Sequence, residues 1–193
     1  LIIVISSAIS QDNEELVEAN IKNIKILHRS DILSFLIENK KSILIAGTHG
    51  KTTTSSLIST IFAKSNEDPT LVVGGIIPHF QSNSYLGKSK FFIAEIDESD
   101  GTHIKYNGDL AVITNLELDH TNYYKNLNSL IESMNIFANN SKYVIANYDC
   151  NNLKKYLSKK ALWYSTKIYK DTDFAAIPIA MDGEKTIAKY YEK

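Results

Sequence analysis

The residues best able to do chemistry in this chain form one short loop, Gly47-Thr48-His49-Gly50-Lys51-Thr52-Thr53. An apolar run at 42–46 precedes the loop and a helical apolar pattern follows it, so the predicted order is strand, turn, helix. The backbone N–H groups of such a turn favour an anion. Lys51 can add a full positive charge, and the Thr52 hydroxyl can ligate Mg²⁺. The loop therefore predicts a phosphate site for ATP, with an ordinary glycine turn as the alternative.

The spacing of this loop is Gly-x-x-Gly-Lys-Thr, which is tighter than the common Walker A form. A second polar cluster, at 95–100, follows the apolar run 91–94. Because side chains alternate along a strand, Glu95 and Asp97 are expected on one side and Glu98 on the other. A carboxylate at a strand end beside a phosphate loop suits the Mg²⁺ of a nucleotide. We expect Glu95 in that role; a solvated acidic turn is the alternative.

A third polar cluster, at 114–120, follows the apolar run 110–113 and holds Asn115, Glu117, Asp119 and His120. These residue types can hold a metal ion and a phosphate group. A loop at the ligand-binding edge of a sheet favours a functional role for His120. Three other histidines have no such support and are expected to be structural: His28, His79 and His103.

Alternating strand and helix patterns predict an α/β fold with a doubly wound, mostly parallel sheet. Ligands of such sheets gather at the carboxyl ends of the strands. Strands are predicted at 1–5, 24–27, 42–46, 71–73, 91–96, 110–114, 143–146, 174–177 and 187–191, with helices between them. Residues 76–89 are expected to be irregular, and residues 170–193 are compatible with an antiparallel extension.

Three details of the helices are also predicted. In the helix after the phosphate loop, Leu57, Ile58, Ile61 and Phe62 are expected to share the packed face. Asp149 is expected to cap the helix that carries Leu153, Tyr156 and Leu157. The caps expected for the two earlier helices are Ser10 or Asp12, and Ser30 or Asp31.

Composition narrows the class of protein. The 193 residues suffice for one α/β domain and a fragment. The balance of 21 basic and 22 acidic residues gives no sign of a nucleic-acid surface. A single cysteine excludes an internal disulfide and fits a reducing, cytoplasmic location. No apolar run is long enough for membrane insertion. Since the chain starts Leu1-Ile2-Ile3 without Met, we expect a piece of a longer protein.

Together the three motifs, Gly-Thr-His-Gly-Lys-Thr-Thr-Thr, Glu-x-Asp-Glu-Ser-Asp and Thr-Asn-x-Glu-x-Asp-His, resemble the Mur ligase family. Residues 4–13 are similar to a segment of that family's first domain, so the resemblance runs collinearly through nearly the whole chain. It implies a central ATP-binding domain at 30–193, incomplete at its C-terminal end. Residues 1–29 would be the C-terminal remnant of a Rossmann-like domain that binds the UDP substrate.

The resemblance also implies a reaction. Such ligases phosphorylate a carboxylate with ATP, and an amine then attacks the acyl phosphate to give an amide, ADP and phosphate. The motifs look most like the branch that joins L-alanine to UDP-N-acetylmuramate in peptidoglycan synthesis. The implied partners are these two substrates and the missing domains of the same enzyme, with no nucleic acid and no membrane.

By the same resemblance, Lys51 would hold the β- and γ-phosphates of ATP. Thr52 and Glu95 would ligate Mg²⁺, and His120 would help to hold a second Mg²⁺ near the sugar carboxylate. The residues expected to complete the nucleotide site are Gly47, Thr48, His49, Gly50, Thr53 and Asn115. His49 would face the substrate carboxylate or shape the turn. Asn115 and Glu117 would orient the His120 loop, and Gly74-Gly75 would let substrate approach the backbone.

Departures from the family pattern leave alternatives open. No lysine matches the carbamylated lysine of several related ligases, which is compatible with the alanine-adding branch. The glycine-rich turn of the first domain and the C-terminal domain are not in the chain, so this segment alone is expected to bind ATP weakly and not to ligate. The alternatives are a murein tripeptide ligase of cell-wall recycling and a non-catalytic nucleotide-binding fragment. A P-loop switch or small kinase is disfavoured because there is no conventional Walker A and no Asn-Lys-x-Asp.

Overall fold

The structure, a computed structural model, describes residues 1–183 and 185–193 and consists of helices and strands around two sheets. In chain order they are β1 (Ile2–Ile5), α1 (Glu14–Ile21), β2 (Lys25–His28), α2 (Arg29–Ile37), β3 (Lys41–Ala46), α3 (Lys51–Lys64), β4 (Thr70–Ile77), β5 (Ser82–Tyr85), β6 (Phe91–Glu95), a 3₁₀ turn (Thr102–Lys105), β7 (Leu110–Ile113), α4 (Leu127–Asn140), β8 (Tyr143–Asn147), α5 (Asn151–Tyr156), β9 (Leu162–Ser165), β10 (Phe174–Met181) and β11 (Thr186–Glu192). Among the helices so described, none is both long and apolar enough to cross a membrane.

The main sheet has the strand order β11-β10-β9-β8-β7-β3-β6-β4-β5, and β1 pairs with β2 in a separate small parallel sheet. The central strand pairs are parallel, whereas β4–β5 and β10–β11 at the two edges are antiparallel. The predicted doubly wound, mostly parallel α/β sheet is therefore confirmed. The antiparallel extension considered for residues 170–193 is the β10–β11 hairpin.

Alternate residues of the central strands point to opposite faces of the sheet, and each face has its own core cluster. Leu44 and Ala46 of β3 belong to the larger core cluster, which α4 covers with Leu130, Met134 and Phe137. Ile45 lies on the other face, in a smaller cluster against which Ile58 and Phe62 of α3 pack.

The packed face of α3 differs from the predicted one. Ser55 and Ser59 are fully buried, whereas Leu57 and Ile61 are each 61% exposed. The serine hydroxyls donate to backbone carbonyls within the helix, at Thr52 and Ser55, so that they are satisfied without solvent. Small serines let the helix approach the sheet closely, and Ile58 and Phe62 pack against the smaller core cluster beside them. The prediction was right for Ile58 and Phe62 and wrong for Leu57 and Ile61.

Residues 76–89 were expected to be irregular, and this was wrong in part. β4 continues through Gly74-Gly75 to Ile77, and β5 returns antiparallel to it. β5 is a largely exposed edge strand of sequence Ser-Asn-Ser-Tyr, so it has no apolar pattern that could have predicted it. β9 was missed as well.

Three helix caps also differ from those predicted. Asn13 caps α1 through its side chain, and His28 caps α2 in a reciprocal arrangement with Asp31. Asp149 does not cap α5. Its carboxylate instead accepts bonds from the Ser165 hydroxyl and from Thr166, which ties β9 to the end of β8.

His103, in the 3₁₀ turn, is fully buried, and neither of its ring nitrogens makes a hydrogen bond within the described residues. Burial lowers the pKa of His103 to about 4, although the nearby Ser133 backbone opposes the shift. The folded protein therefore keeps the ring neutral, while the unfolded chain takes up a proton below the ordinary pKa of 6.5. This contribution to stability is complete above pH 6.5 and is lost as the pH falls towards 4.

Between pH 6.5 and 4, the free energy of unfolding of the wild type should fall by up to roughly 3 kcal/mol because of His103, at about 1.4 kcal/mol per pH unit for one proton. We expect His103→Leu to lack this part of the decline. Urea unfolding at several pH values measures it. His79→Asn, at an exposed position, is the control and should keep the wild-type slope. An equal slope for wild type and His103→Leu would contradict the assignment.

Candidate active site

Three polar loops meet at one edge of the main sheet. β3 pairs in parallel with β6 on one side and with β7 on the other, so the carboxyl ends of the three strands are adjacent. The loop after β3 leads into α3, which begins with Lys51 and Thr52, β6 ends at Glu95, and the loop after β7 leads to His120. The clusters singled out from the sequence are therefore neighbours in the fold.

The loop after β3 depends on glycine at its first position. Gly47 has φ +127°, and a Cβ there would lie 2.3 Å from the Thr114 hydroxyl oxygen and 2.9 Å from the Asn115 carbonyl oxygen. Gly50 has φ +79° and open space where its Cβ would be, and α3 begins directly after it. Glycine permits both positive φ angles without strain.

The loop after β7 holds the phosphate loop in shape. The Asn115 side chain accepts from the His49 N–H and donates to the His49 carbonyl, both at 2.9 Å. The Thr48 hydroxyl accepts from the Glu117 N–H at 2.9 Å and donates to the Glu117 carbonyl at 3.0 Å. Thr48 and Asn115 thus fix the backbone of the loop, while the His49 side chain is largely exposed.

Thr52 and Glu95 form the first contact between loops. The Thr52 hydroxyl donates to Glu95 Oε1 at 3.0 Å, and the Gly74 N–H donates to Glu95 Oε2 at 2.8 Å. A Cβ on Gly74 would come within 2.8 Å of the carboxylate, and one on Gly75 within 2.9 Å of Thr52. The two glycines therefore make room for Glu95 and Thr52, a reason that the sequence did not indicate.

Lys51 folds back over its own loop. Its ammonium donates to the carbonyls of Gly47 at 2.7 Å and Thr48 at 3.2 Å, and to Glu98 Oε1 at 3.0 Å. An ammonium has three N–H donors, and each has a protein acceptor here. No side chain in the described part of the chain caps the first turn of α3, so backbone N–H groups remain for an anion.

Glu98 was not among the predicted site residues, yet it joins the other two loops. Its side chain is 1% exposed, and its Oε1 lies 3.0 Å from Lys51 Nζ and 3.3 Å from His120 Nε2. Glu98 Oε2 has no hydrogen-bond partner within the described residues. Burial raises the pKa of Glu98, and the charges of Lys51 and His120 oppose the shift.

His120 is held in a left-handed backbone conformation, with φ +51°. Its backbone N–H donates to the Asp119 carboxylate, and its backbone carbonyl accepts from the backbone N–H groups of Tyr123 and Tyr124. The expected metal set of Thr52, Glu95 and His120 is thus only partly assembled, since Thr52 contacts Glu95 whereas His120 lies against Glu98. Within the described residues, no three acidic, histidine or cysteine side chains form a metal-binding group.

The residues present nevertheless suit Mg²⁺ with a nucleotide. Mg²⁺ usually takes one or two carboxylates and completes its shell with phosphate and water oxygens. The Thr52 hydroxyl and the Glu95 carboxylate supply two hard oxygens 3.0 Å apart at the N-terminus of α3. A third side chain from the protein is not required for that arrangement.

A cleft of about 510 Å³ opens beside this site. Arg29 and Asp97, which both line the cleft, form an ion pair at 2.7 Å. Its lining combines apolar residues with groups of the candidate site: Arg29, Ile32, Leu33, Leu36, Lys51, Val72, Val73, Gly74, Glu95, Asp97, Thr102 and Tyr106.

Comparison with known families decides the affiliation. A model described as the Mur ligase middle domain matches residues 45–188, which contain all three loops. The chain belongs to the Mur ligase family. A second model, described as the Mur ligase family catalytic domain, matches residues 1–41 of the chain. The family resemblance of the sequence is thereby confirmed, while the domain boundary expected near residue 29 stays a prediction.

The chain is 60% identical over 192 residues to the UDP-N-acetylmuramate–L-alanine ligase of a strain of Prochlorococcus marinus. That match covers 100% of the chain and 41% of the relative. The enzyme of the same name from Synechococcus sp. (strain CC9605) is 46% identical, with 99% of the chain and 40% of the relative covered. The chain thus spans about two fifths of the length of these curated relatives.

Solved Mur ligases have the same fold. The UDP-N-acetylmuramate–alanine ligase of Thermotoga maritima aligns with 91% of the chain and 40% of its own length, with a TM-score of 0.79 and 23% identity. The UDP-N-acetylmuramate:L-alanyl-γ-D-glutamyl-meso-diaminopimelate ligase of Neisseria meningitides aligns with 99% of the chain and 64% of its own length, with a TM-score of 0.82 and 20% identity. At these identities the likeness shows the fold alone.

Proposed function

We propose that the protein containing this chain is an ATP-dependent ligase that joins L-alanine to UDP-N-acetylmuramate in peptidoglycan precursor synthesis. The observation that carries the proposal is the meeting of the phosphate loop, the Thr52–Glu95 pair and the His120 loop at one sheet edge. The name of the 60%-identical relative supplies the choice of substrates.

In this proposal the phosphate loop binds ATP. Lys51 exchanges protein acceptors for phosphate oxygens, and the N–H groups at the start of α3 contact the same phosphates. Thr52 and Glu95 would hold Mg²⁺, which would neutralise phosphate charge, and His120 would help to hold a second Mg²⁺. Thr48 and Asn115 keep the loop in shape from behind, and His49, Gly50 and Thr53 line the nucleotide.

The acceptor carboxylate enters from the cleft, which reaches Glu95 and Lys51. Its oxygen attacks the γ-phosphorus of ATP, the bond between that phosphorus and the β–γ bridging oxygen breaks, and ADP leaves. The amine of L-alanine then attacks the acyl carbon, loses a proton, and expels phosphate. The chain contributes mainly positioning and charge neutralisation to the phosphoryl transfer.

The remaining assignments follow from this activity. The partners are the two substrates and further domains of the same enzyme, without nucleic acid or membrane insertion. The location is the cytoplasm, a reducing compartment that fits a single cysteine. The segment by itself is expected to bind ATP weakly and not to catalyse ligation.

The proposal is tested with full-length protein, ATP, Mg²⁺ and UDP-N-acetylmuramate, to which amino acids or the tripeptide L-alanyl-γ-D-glutamyl-meso-diaminopimelate are added one at a time. We expect ADP and a UDP-linked amide with L-alanine, detected by mass spectrometry. Ligation of the tripeptide in place of L-alanine would instead support the second candidate, a murein tripeptide ligase. ATP binding without either product would contradict both.

A further inference from the structure

Glu98 connects the two other loops of the site through one oxygen atom. Lys51 Nζ and His120 Nε2 both lie against Glu98 Oε1, at 3.0 and 3.3 Å. Lys51 comes from the loop after β3 and His120 from the loop after β7, so this carboxylate joins all three edge loops. Thr52 and Glu95 form a separate contact that does not include it.

The backbone of Glu98 is held by residues outside the nucleotide site. The Tyr124 hydroxyl donates to the Glu98 carbonyl at 2.8 Å, and the Gly101 N–H donates to the same carbonyl at 3.0 Å. Tyr124 is itself only 2% exposed. The backbone of Glu98 is thereby anchored in the core, while its carboxylate reaches the edge of the site.

A buried carboxylate is costly unless it is paired. Its only partners in the described part of the chain are Lys51 and His120, which are 14% and 34% exposed in their side chains. A residue required only for packing would be served by an apolar side chain of similar size. The contacts of Glu98 are therefore directed to the two groups that the proposed reaction needs in place.

We infer that Glu98 is a positioning residue that orients His120 and restrains Lys51 at the phosphate site. The inference rests on the proposed function. A carboxylate beside Nε2 favours the tautomer with its proton on that nitrogen, which leaves Nδ1 with the lone pair for a metal ion. The same carboxylate competes with phosphate for the Lys51 ammonium, because both are negative.

These two effects have opposite consequences for Glu98→Gln. Without the negative charge, Lys51 is released more easily, so the Kd for ATP stays within about twofold of wild type or falls. His120 loses its charged partner, so kcat falls about 10- to 100-fold and the Mg²⁺ concentration for half-maximal activity rises, as for partners of metal-ligating histidines. Glu98→Asp keeps the charge but is one methylene shorter, and it should restore part of kcat.

The experiment compares wild type, Glu98→Gln, Glu98→Asp and the exposed control Glu132→Gln in full-length protein. ATP affinity is measured by calorimetry, turnover at several Mg²⁺ concentrations, and the folded fraction by thermal unfolding. A fall in kcat without weaker ATP binding supports the inference. A parallel loss of binding and turnover that follows the folded fraction overturns it, because Glu98 would then be structural.

A readout independent of turnover separates this inference from the proposed function. Proton–nitrogen correlation spectra of the His120 ring, recorded at a pH where the ring is neutral, should show the Nε2–H tautomer in wild type and a mixture in Glu98→Gln. The same mixture in wild type overturns the inference even if ligation occurs. The Nε2–H tautomer in a wild-type protein without ligation supports it while the proposed function fails.

Discussion

Lys51→Met is expected to lower kcat/KM for ATP by about 10³-fold, the scale seen when one charge-stabilising donor is removed from a catalytic site. Lys51 is the first residue of α3 and the only lysine that the described structure places within the phosphate loop. Without its ammonium, the phosphates keep only backbone N–H groups and Mg²⁺ as positive partners. Turnover and calorimetric binding of ATP measure the effect.

The same substitution is expected to destabilise the fold by about 3 kcal/mol, because Glu98 is left buried without its closest cation. Stability and function are separated by the double variant Lys51→Met/Glu98→Gln, which should recover stability but not ATP binding. Lys64→Met is the matched control, since Lys64 ends the same helix and is exposed. Wild-type ATP affinity in a well-folded Lys51→Met protein would leave the phosphate site without support.

Glu95→Gln has the second large expected effect, a fall in kcat of about 10²- to 10³-fold. A carboxamide keeps the size of the side chain and can still accept from the Gly74 N–H, but it removes the negative charge that Mg²⁺ requires. The response to Mg²⁺ should therefore change more than the fold. In wild type, Mg²⁺ should strengthen ATP binding, and in Glu95→Gln this gain should be largely lost.

ATP titrations with and without Mg²⁺ provide the measurement. Glu67→Gln, at an exposed position after α3, controls for a general effect of removing one negative charge. Equal Mg²⁺ dependence in wild type and Glu95→Gln would show that the metal ligand lies elsewhere.

Much of this site was predictable because each polar cluster directly follows a continuous apolar run. Runs without polar alternation indicate strands buried on both faces of a parallel sheet, and the carboxyl ends of such strands share one edge. Lys51, Thr52, Glu95 and His120 were therefore expected near each other on the basis of sequence alone. Their roles in catalysis remain predictions.

Glu98 was missed for a physical reason. The alternation of side chains applies only within a strand, and β6 ends at Glu95. Beyond Glu95 the chain turns. The Asp97 carboxylate accepts a hydrogen bond from Arg29, whereas the Glu98 carboxylate lies against Lys51 and His120. Tertiary contacts decide such positions, and no local period encodes them.

The buried face of α3 illustrates the same limit. Apolar spacing marked Leu57 and Ile61, but the helix packs through Ser55 and Ser59 because serine occupies little volume and bonds its own backbone. Hydrophobicity alone could not predict that the close approach would outweigh burial of two larger side chains. The exposed edge strand β5 escaped prediction because none of its four residues is buried.

The central claim is that the three loops form one nucleotide site. Its most direct test is a titration of this chain with Mg²⁺–ATP, monitored through the backbone amide chemical shifts. This method detects millimolar affinities, such as the weak ATP binding that we expect for this segment by itself. We predict that residues 47–53, 95–98 and 115–120 shift together, with one common Kd. Shifts restricted to one of these segments, or centred on another part of the fold, would contradict a shared nucleotide site at the carboxyl ends of β3, β6 and β7.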